Sequence, residues 1–232
     1  MSAGFLLTIS MKILELFAGT RSFGKAAEKF GHEVYSSDIN EYENIDYVTD
    51  ILDFKTENIP FKPDIIWASP PCTAFSVLRI SYNWNHDHTP KTEGAKLGIK
   101  IVKKTLEIIK ELNPIHWYME NPRGKLRKLD IVKNLPRVCI WYCQYGSKNA
   151  KPTDIWSNNI HNLFNTTGWI PRAKCFNGRI KCHHDKCPRG NGKDGVQGQS
   201  NNIVRSIVPE ELCMDILKSY KIKGQENLAF HK

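Results

Sequence analysis

A cysteine stands directly after two prolines in Ser69-Pro70-Pro71-Cys72-Thr73-Ala74-Phe75-Ser76, and the apolar run Ile65-Ile66-Trp67 leads into it. Two readings are open at this point. One is a strand stop followed by a buried thiol, since a reduced cysteine often behaves as a small hydrophobe. The other is a nucleophile held out at a strand end. A carboxylate takes a comparable place at Glu120, where Ile115-His116-Trp117-Tyr118-Met119 runs into Glu120-Asn121-Pro122. Nearer the N terminus, Phe17-Ala18-Gly19, Asp38 and Asp50 each close a short apolar or alternating run. Carboxylates at successive strand ends suit a nucleoside: one can accept from ribose hydroxyls and the other from an adenine amino group. Gly19 lets the backbone pass close to a ligand. The turn Phe17-Ala18-Gly19-Thr20-Arg21-Ser22-Phe23-Gly24 lacks the G-x-G-x-x-G spacing of a pyrophosphate turn. That favours a cofactor without phosphates over a dinucleotide.

Alternating elements must present these residues. Strands are expected at 12–17, from His32 to Asp38, from Tyr47 to Ile51, at 64–68, from Ile115 to Glu120, from Arg137 to Gly146 and from Thr153 to Asn158. A helix follows the first strand and stops at Gly31. Between Thr92 and Leu112, residues Ile101, Leu106, Ile108, Ile109 and Leu112 form a helical stripe that Pro114 ends. Strands alternating with helices predict a parallel, doubly wound α/β sheet. The polar residues above then lie at the carboxyl ends of its strands, where such sheets bind ligands. Residues 170–202 are rich in Gly, Lys, Arg, Asn and Cys and read as a loop-dominated insert, after which Pro209 suits a helical first turn. The expected organisation is a core over 1–156, a small basic insert over 157–202 and a returning C-terminal helix within 203–232.

Composition narrows the class. The 232 residues are 41% hydrophobic and 25% charged, which predicts a globular chain rather than a disordered one. A net charge of +9 points to a polyanionic partner, nucleic acid first. No apolar run approaches the ~20 residues of a membrane span. No signal peptide is evident, so a reducing cytoplasm and thiols rather than disulfides are expected for the seven cysteines. A monomer without membrane contact is expected.

Taken in order, Leu14-Glu15-Leu16-Phe17-Ala18-Gly19, Ser36-Ser37-Asp38-Ile39-Asn40, Thr49-Asp50-Ile51, Ser69-Pro70-Pro71-Cys72, Met119-Glu120-Asn121-Pro122-Arg123-Gly124 and Gln144-Tyr145-Gly146 through Thr153-Asp154-Ile155-Trp156 resemble the motifs of cytosine-5 methyltransferases. The set most resembles small phage-type DNA members, and it covers about Ile13 to Trp156. The resemblance implies a class I S-adenosylmethionine-dependent methyltransferase fold, Rossmann-like and mostly parallel, with S-adenosyl-L-methionine as methyl donor. It implies cofactor contacts from Phe17, Ala18, Gly19, Thr20, Asp38, Ile39, Asp50, Ile51 and Pro70. Cytosine C5 is a poor nucleophile until a thiolate adds at C6. By resemblance Cys72 is that nucleophile and Glu120 the acid that meets N3. Prolines 70 and 71 have fixed φ and no N–H, which suits an extended turn that projects Cys72. The loop over 73–98, with Trp84, His86 and His88, corresponds to the family segment that closes over a flipped base.

The family usually carries Q-x-R-x-R after its sixth strand. Here the chain reads Asn149-Ala150-Lys151-Pro152-Thr153, so Lys151 is the nearest match to the first arginine and Thr153 stands at the second. Lysine is a point charge rather than a fork. Nucleic-acid contacts are expected from Ser76, Arg123, Lys174, Arg179 and Lys181, with Arg172 adding to the positive charge of the insert. Duplex DNA is the expected substrate; the tRNA-modifying branch and a silent nucleic-acid binder are the alternatives. A cognate restriction endonuclease is a candidate partner, and a bacterial or phage-infected cytoplasm the expected location. No metal is assigned. Cys175, Cys182, His184 and Cys187 offer a zinc knot as the alternative to a basic loop with thiols, although their spacing is not a standard finger.

Overall fold

The computed structural model describes residues 10–148, 150–163, 165–175 and 206–220. Strands β1 (Lys12–Leu16), β2 (Glu33–Asp38), β3 (Tyr47–Val48), β4 (Ile65–Ala68), β5 (His116–Pro122), β6 (Arg137–Trp141) and β7 (Pro152–Ser157) form one sheet in the order β3-β2-β1-β4-β5-β7-β6. All pairings are parallel except those of β7, which runs antiparallel to both β5 and β6. The sheet is therefore doubly wound and mostly parallel, the class I methyltransferase fold. Its winding changes direction between β1 and β4, so the loops that follow these two strands diverge and leave a crevice at their carboxyl ends.

Burial follows from this position. Ile13, Leu14 and Leu16 of β1 and all of β4 are within 1% of fully buried, as continuous apolar runs covered on both faces should be. Helices α1 (Ser22–Lys29) and α4 (Glu210–Lys218) belong to one face, where Phe23, Ala27, Leu212 and Ile216 share a core with Ile13, Trp67, Tyr118 and Ile155. Long α3 (Glu93–Leu112) covers the other face through Val102, Ile108 and Ile109. Its start is capped by Thr92, whose hydroxyl accepts from the Ala95 N–H, and Asn113 in a left-handed conformation ends it just before Pro114. At the end of α1, Gly31 has φ 76° and the His32 N–H returns to the Ala27 carbonyl.

Three expectations change. The third strand is two residues long, because Asp50 leaves the ladder to cap a 3₁₀ turn over Ile51–Asp53. The sixth ends at Trp141, paired with Pro152, rather than at Gly146. Pro152 has no N–H with which to extend that ladder, and Tyr142–Tyr145 curls into a 3₁₀ turn instead. The 73–98 segment, expected as one loop, holds a short helix α2 (Ile80–Asn83) and the first turns of α3 from Glu93, and Trp84 is buried against Phe75. Among the described residues no helix is long and apolar enough to cross a membrane.

Candidate active site

The turn after β1 is built from its main chain. Phe17, Gly19 and Arg21 have φ of 56°, 49° and 55°, a region that non-glycine residues occupy at a cost. Side chains reward this shape. The Gly19 N–H donates to Asp38 Oδ2 at 3.0 Å, and the Ala18 N–H to the Ser37 carbonyl at 3.0 Å. Buried Glu15 accepts from the N–H groups of Phe23 and Gly24 at 3.0 and 2.9 Å, so the carboxylate caps α1 from inside the sheet. Burial pushes the Glu15 carboxyl up to about 7, against the pull of those two N–H groups and of Arg21. Thr20 and Ser22 share a hydroxyl contact of 3.0 Å.

Asp38 and Asp50 stand at the ends of β2 and β3, with Ile39 62% exposed, Val48 46% and Leu52 37%. Two carboxylates beside an exposed apolar shelf match a ligand that is part heteroaromatic ring and part hydroxylated sugar. A Cβ on Gly19 would meet nothing within 4 Å, so the space beside this turn is open. Ile51 and Pro70 are buried, and the Ile51 side chain serves the core beside Leu14 and Leu16. Asp50 accepts from the Leu52 N–H at 2.9 Å.

Cys72 lies on the turn after β4, partly buried and in no disulfide, and its carbonyl accepts from the N–H groups of Phe75 and Ser76. Glu120 lies on the neighbouring strand, 5% exposed. The next residue, Asn121, is fully buried; its Nδ2 donates to the Pro70 carbonyl at 2.9 Å while its Oδ1 has no partner among the described residues. Below, the Lys125 N–H donates to the Phe75 carbonyl, and a Cβ at Gly124 would stand 2.3 Å from that same oxygen. The two strand-end segments are thus fastened to each other at two levels.

Glu120 Oε1 accepts from the Tyr142 hydroxyl at 2.9 Å and has Lys151 Nζ at 3.7 Å; the same ammonium lies 4.5 Å from the Tyr142 ring centre. Burial, with the Glu120 carboxylate second, pushes the Tyr142 phenol well above its ordinary value, so it remains a donor. Lys151, the nearest match to the first arginine of the family pattern, thus comes beside Glu120. Thr153, at the second arginine position, is fully buried and cannot reach a phosphate.

The remaining sequence-derived residues divide. Ser76 is partly buried beside Cys72, and Arg123 and Lys174 are exposed. Arg172, though exposed, is engaged by the protein's own groups: it holds Asp215, Glu211 and the Gln144 carbonyl and lies over the Tyr145 ring. Arg179, Lys181, Cys182, His184 and Cys187 lie outside the described residues, and Cys175 is buried. Among the described residues no group of three or more possible ligands converges on a metal position. His88 is drawn in by Lys125, with Nζ 2.7 Å from its Nδ1. Glu15, Gly124 and Tyr142 escaped the sequence reading. An acid inside a buried strand run was the available signal for Glu15; Tyr142 had none, since its partner lies 22 residues away.

A family model described as C-5 cytosine-specific DNA methylase matches residues 11–138. A probable DNA (cytosine-5)-methyltransferase of Frog virus 3 (isolate Goorha) is 33% identical over 171 residues, 70% of this chain and 74% of that protein. The chain belongs to the C-5 cytosine-specific DNA methylase family, a family of methyltransferase enzymes. Among solved structures, Entamoeba histolytica methyltransferase EhMeth is similar at TM-score 0.48 and 14% identity, over 65% of this chain and 53% of that one. A mutant of Spodoptera frugiperda DNMT2 is similar at TM-score 0.41 and 20% identity, over 64% of this chain and 49% of that one. The chain spans about half the length of these two solved structures.

Proposed function

We propose that this chain transfers a methyl group from S-adenosylmethionine to C5 of a cytosine flipped out of duplex DNA. The observation that carries the reading is the Asn121–Pro70 bond, which ties the thiol loop to the strand that bears Glu120. The Cys72 thiolate forms a bond to C6 as N3 takes a proton from Glu120, and the ring's electron pair becomes available at C5. The cofactor, when bound, supplies the electrophilic methyl group. Loss of the C5 proton to a base then expels the thiolate, and N3 returns its proton to Glu120, which restores the neutral aromatic ring. Tyr142 and Lys151 hold Glu120 in place while charge builds and disperses.

Phe17, Ala18, Gly19, Thr20, Asp38, Ile39, Asp50, Ile51 and Pro70 are the residues to which the cofactor is assigned, with the acids at the hydroxyl and amino groups and the open Gly19 turn beside them. DNA is favoured by the description of the family and the name of the viral relative. A net charge of +9 suits either nucleic acid. Residues 157–202 are assigned to target recognition.

The test is methyl transfer from a tritiated donor to duplex DNA, single-stranded DNA and bulk tRNA in parallel. A duplex carrying 5-fluorocytosine, which has no C5 proton to lose, should form a stable adduct with Cys72. Label in tRNA with none in duplex DNA overturns the substrate, and an adduct at another cysteine overturns the nucleophile.

A further inference from the structure

We infer that the open edge of the sheet along β6 is a second contact surface for the nucleic acid, carrying the backbone that flanks the target base away from Glu120. This rests on the reading above, and it extends the contact expected of Arg123 to a surface along the whole of β6.

Strand β6 is last in the sheet, so its outer edge pairs with no strand among the described residues. Alternation sets Arg137, Cys139 and Trp141 on one face. Across the ladder from Cys139 stands Asp154, fully buried. Its two oxygens take Arg127 through Nε at 2.8 Å and Nη2, and Arg137 through Nη1 at 2.9 Å. Above them Arg123 lies over the Trp141 ring at 5.3 Å, and Lys128 is exposed beside Arg127. Two arginines thus share one carboxylate, with Arg123 over the end of the same strand and Lys128 exposed next to Arg127 in the chain; the neighbouring Asp130 is already paired with Lys133. One arginine would neutralise Asp154, so the surplus calls for an anion from outside.

The geometry suits a phosphate chain. Asp154 fixes two guanidiniums whose side chains are still 24% and 32% exposed, and a fork fixed in advance loses less freedom on gripping a phosphate. From Arg137 to Trp141 the strand spans roughly 13 Å, or about four nucleotide steps. The upper end reaches the site itself. The Arg123 N–H donates to the Pro152 carbonyl, next to Lys151, whose ammonium stands 3.7 Å from Glu120. Arg123 therefore supplies charge where Thr153, buried in the place of an arginine, cannot. Trp141 is partly exposed there and offers an indole to a base or sugar at the mouth.

The experiment measures binding of the full chain to short duplexes with one central target cytosine, extended by about four base pairs on one side or on the other. Extension on a single side should tighten binding about tenfold at low salt. Arg123→Gln with Lys128→Gln should remove that gain and lower the salt slope by about two, and Trp141→Leu should reduce the gain on the same side. Arg127 and Arg137 are left intact, because removing either would take hydrogen bonds from the buried Asp154 carboxylate and confound binding with stability. Trapping on the unextended 5-fluorocytosine duplex separates this inference from the reading beneath it. Trapping with no one-sided gain, or a gain the variants keep, shows cations that merely blunt an edge strand and overturns the surface alone. No trapping by the wild-type chain on any duplex overturns both.

Discussion

Between β1 and α1 the main chain is left-handed at Phe17, Gly19 and Arg21, whereas no residue from Pro70 to Ser76 has a positive φ. The first turn holds its shape through local conformation, secured by Glu15 from below and Asp38 from the side. The second is extended by two prolines and held by atoms from other elements: Asn121 on β5, Lys125 after it, and Gly98 on α3, where a Cβ would stand 2.8 Å from Ala74 Cβ. A ligand that binds reversibly needs a turn with open space and main-chain groups on view. A nucleophile that must meet C6 needs a turn that cannot drift, because small misplacements are costly to rate. Damage to the first turn should therefore appear in cofactor affinity and stability, and damage around the second in turnover.

The largest effect tests the second turn directly. Cys72→Ser should lower turnover by a factor of about 1,000 or more, since a hydroxyl is a far weaker nucleophile at neutral pH, while calorimetry shows cofactor affinity unchanged. Coupled loss of affinity would break the separation between the turns.

Next comes Glu15, which supports the first turn. Its folded carboxyl is raised from 4.5 to about 7, so the folded state holds its proton more tightly than the unfolded state does. Its contribution is fully present below pH 4.5 and is lost as pH rises through 7. The loss amounts to on the order of 3 kcal/mol. Denaturant unfolding at pH 5 and pH 8 should show it, and Glu15→Gln should flatten that dependence. A wild-type stability equal at both values would remove Glu15 from this role.

Two glycines separate the turns by opposite causes. At Gly124 the added methyl meets the Phe75 carbonyl oxygen, so Gly124→Ala should cost about 1–3 kcal/mol through overpacking and reduce kcat with little change in cofactor affinity. At Gly19 the space is open but φ is 49°, so Gly19→Ala should cost about 1 kcal/mol through conformation alone and weaken cofactor binding. Between these two in size, Asp38→Ala removes the acceptor of the Gly19 N–H and should weaken the cofactor about tenfold by calorimetry. A reversed pattern, with Gly124→Ala acting on affinity and Asp38→Ala on kcat, would refute the division of labour.

The sequence by itself determined the succession of strands and helices and the residues at their ends. Those signals are local: an apolar run, the Thr92 cap, the stops at Gly31 and Pro114, the prolines before Cys72. They place Cys72, Glu120, Asp38 and Asp50 at carboxyl ends of strands without reference to any neighbour. Only the tertiary structure decided which side chains meet. Antiparallel insertion of β7 between β5 and β6 brings Lys151 to Glu120 and buries Thr153 and Asp154. Asn121 finds Pro70 across 51 residues, and Arg172, which reads as a phosphate ligand in a basic stretch, finds Asp215 and Glu211 instead. The physical reason is range. Periodicity and caps are set within a turn or two of chain, whereas a buried polar group must be satisfied by whatever distant segment the packing delivers, and charge along a chain does not reveal that partner.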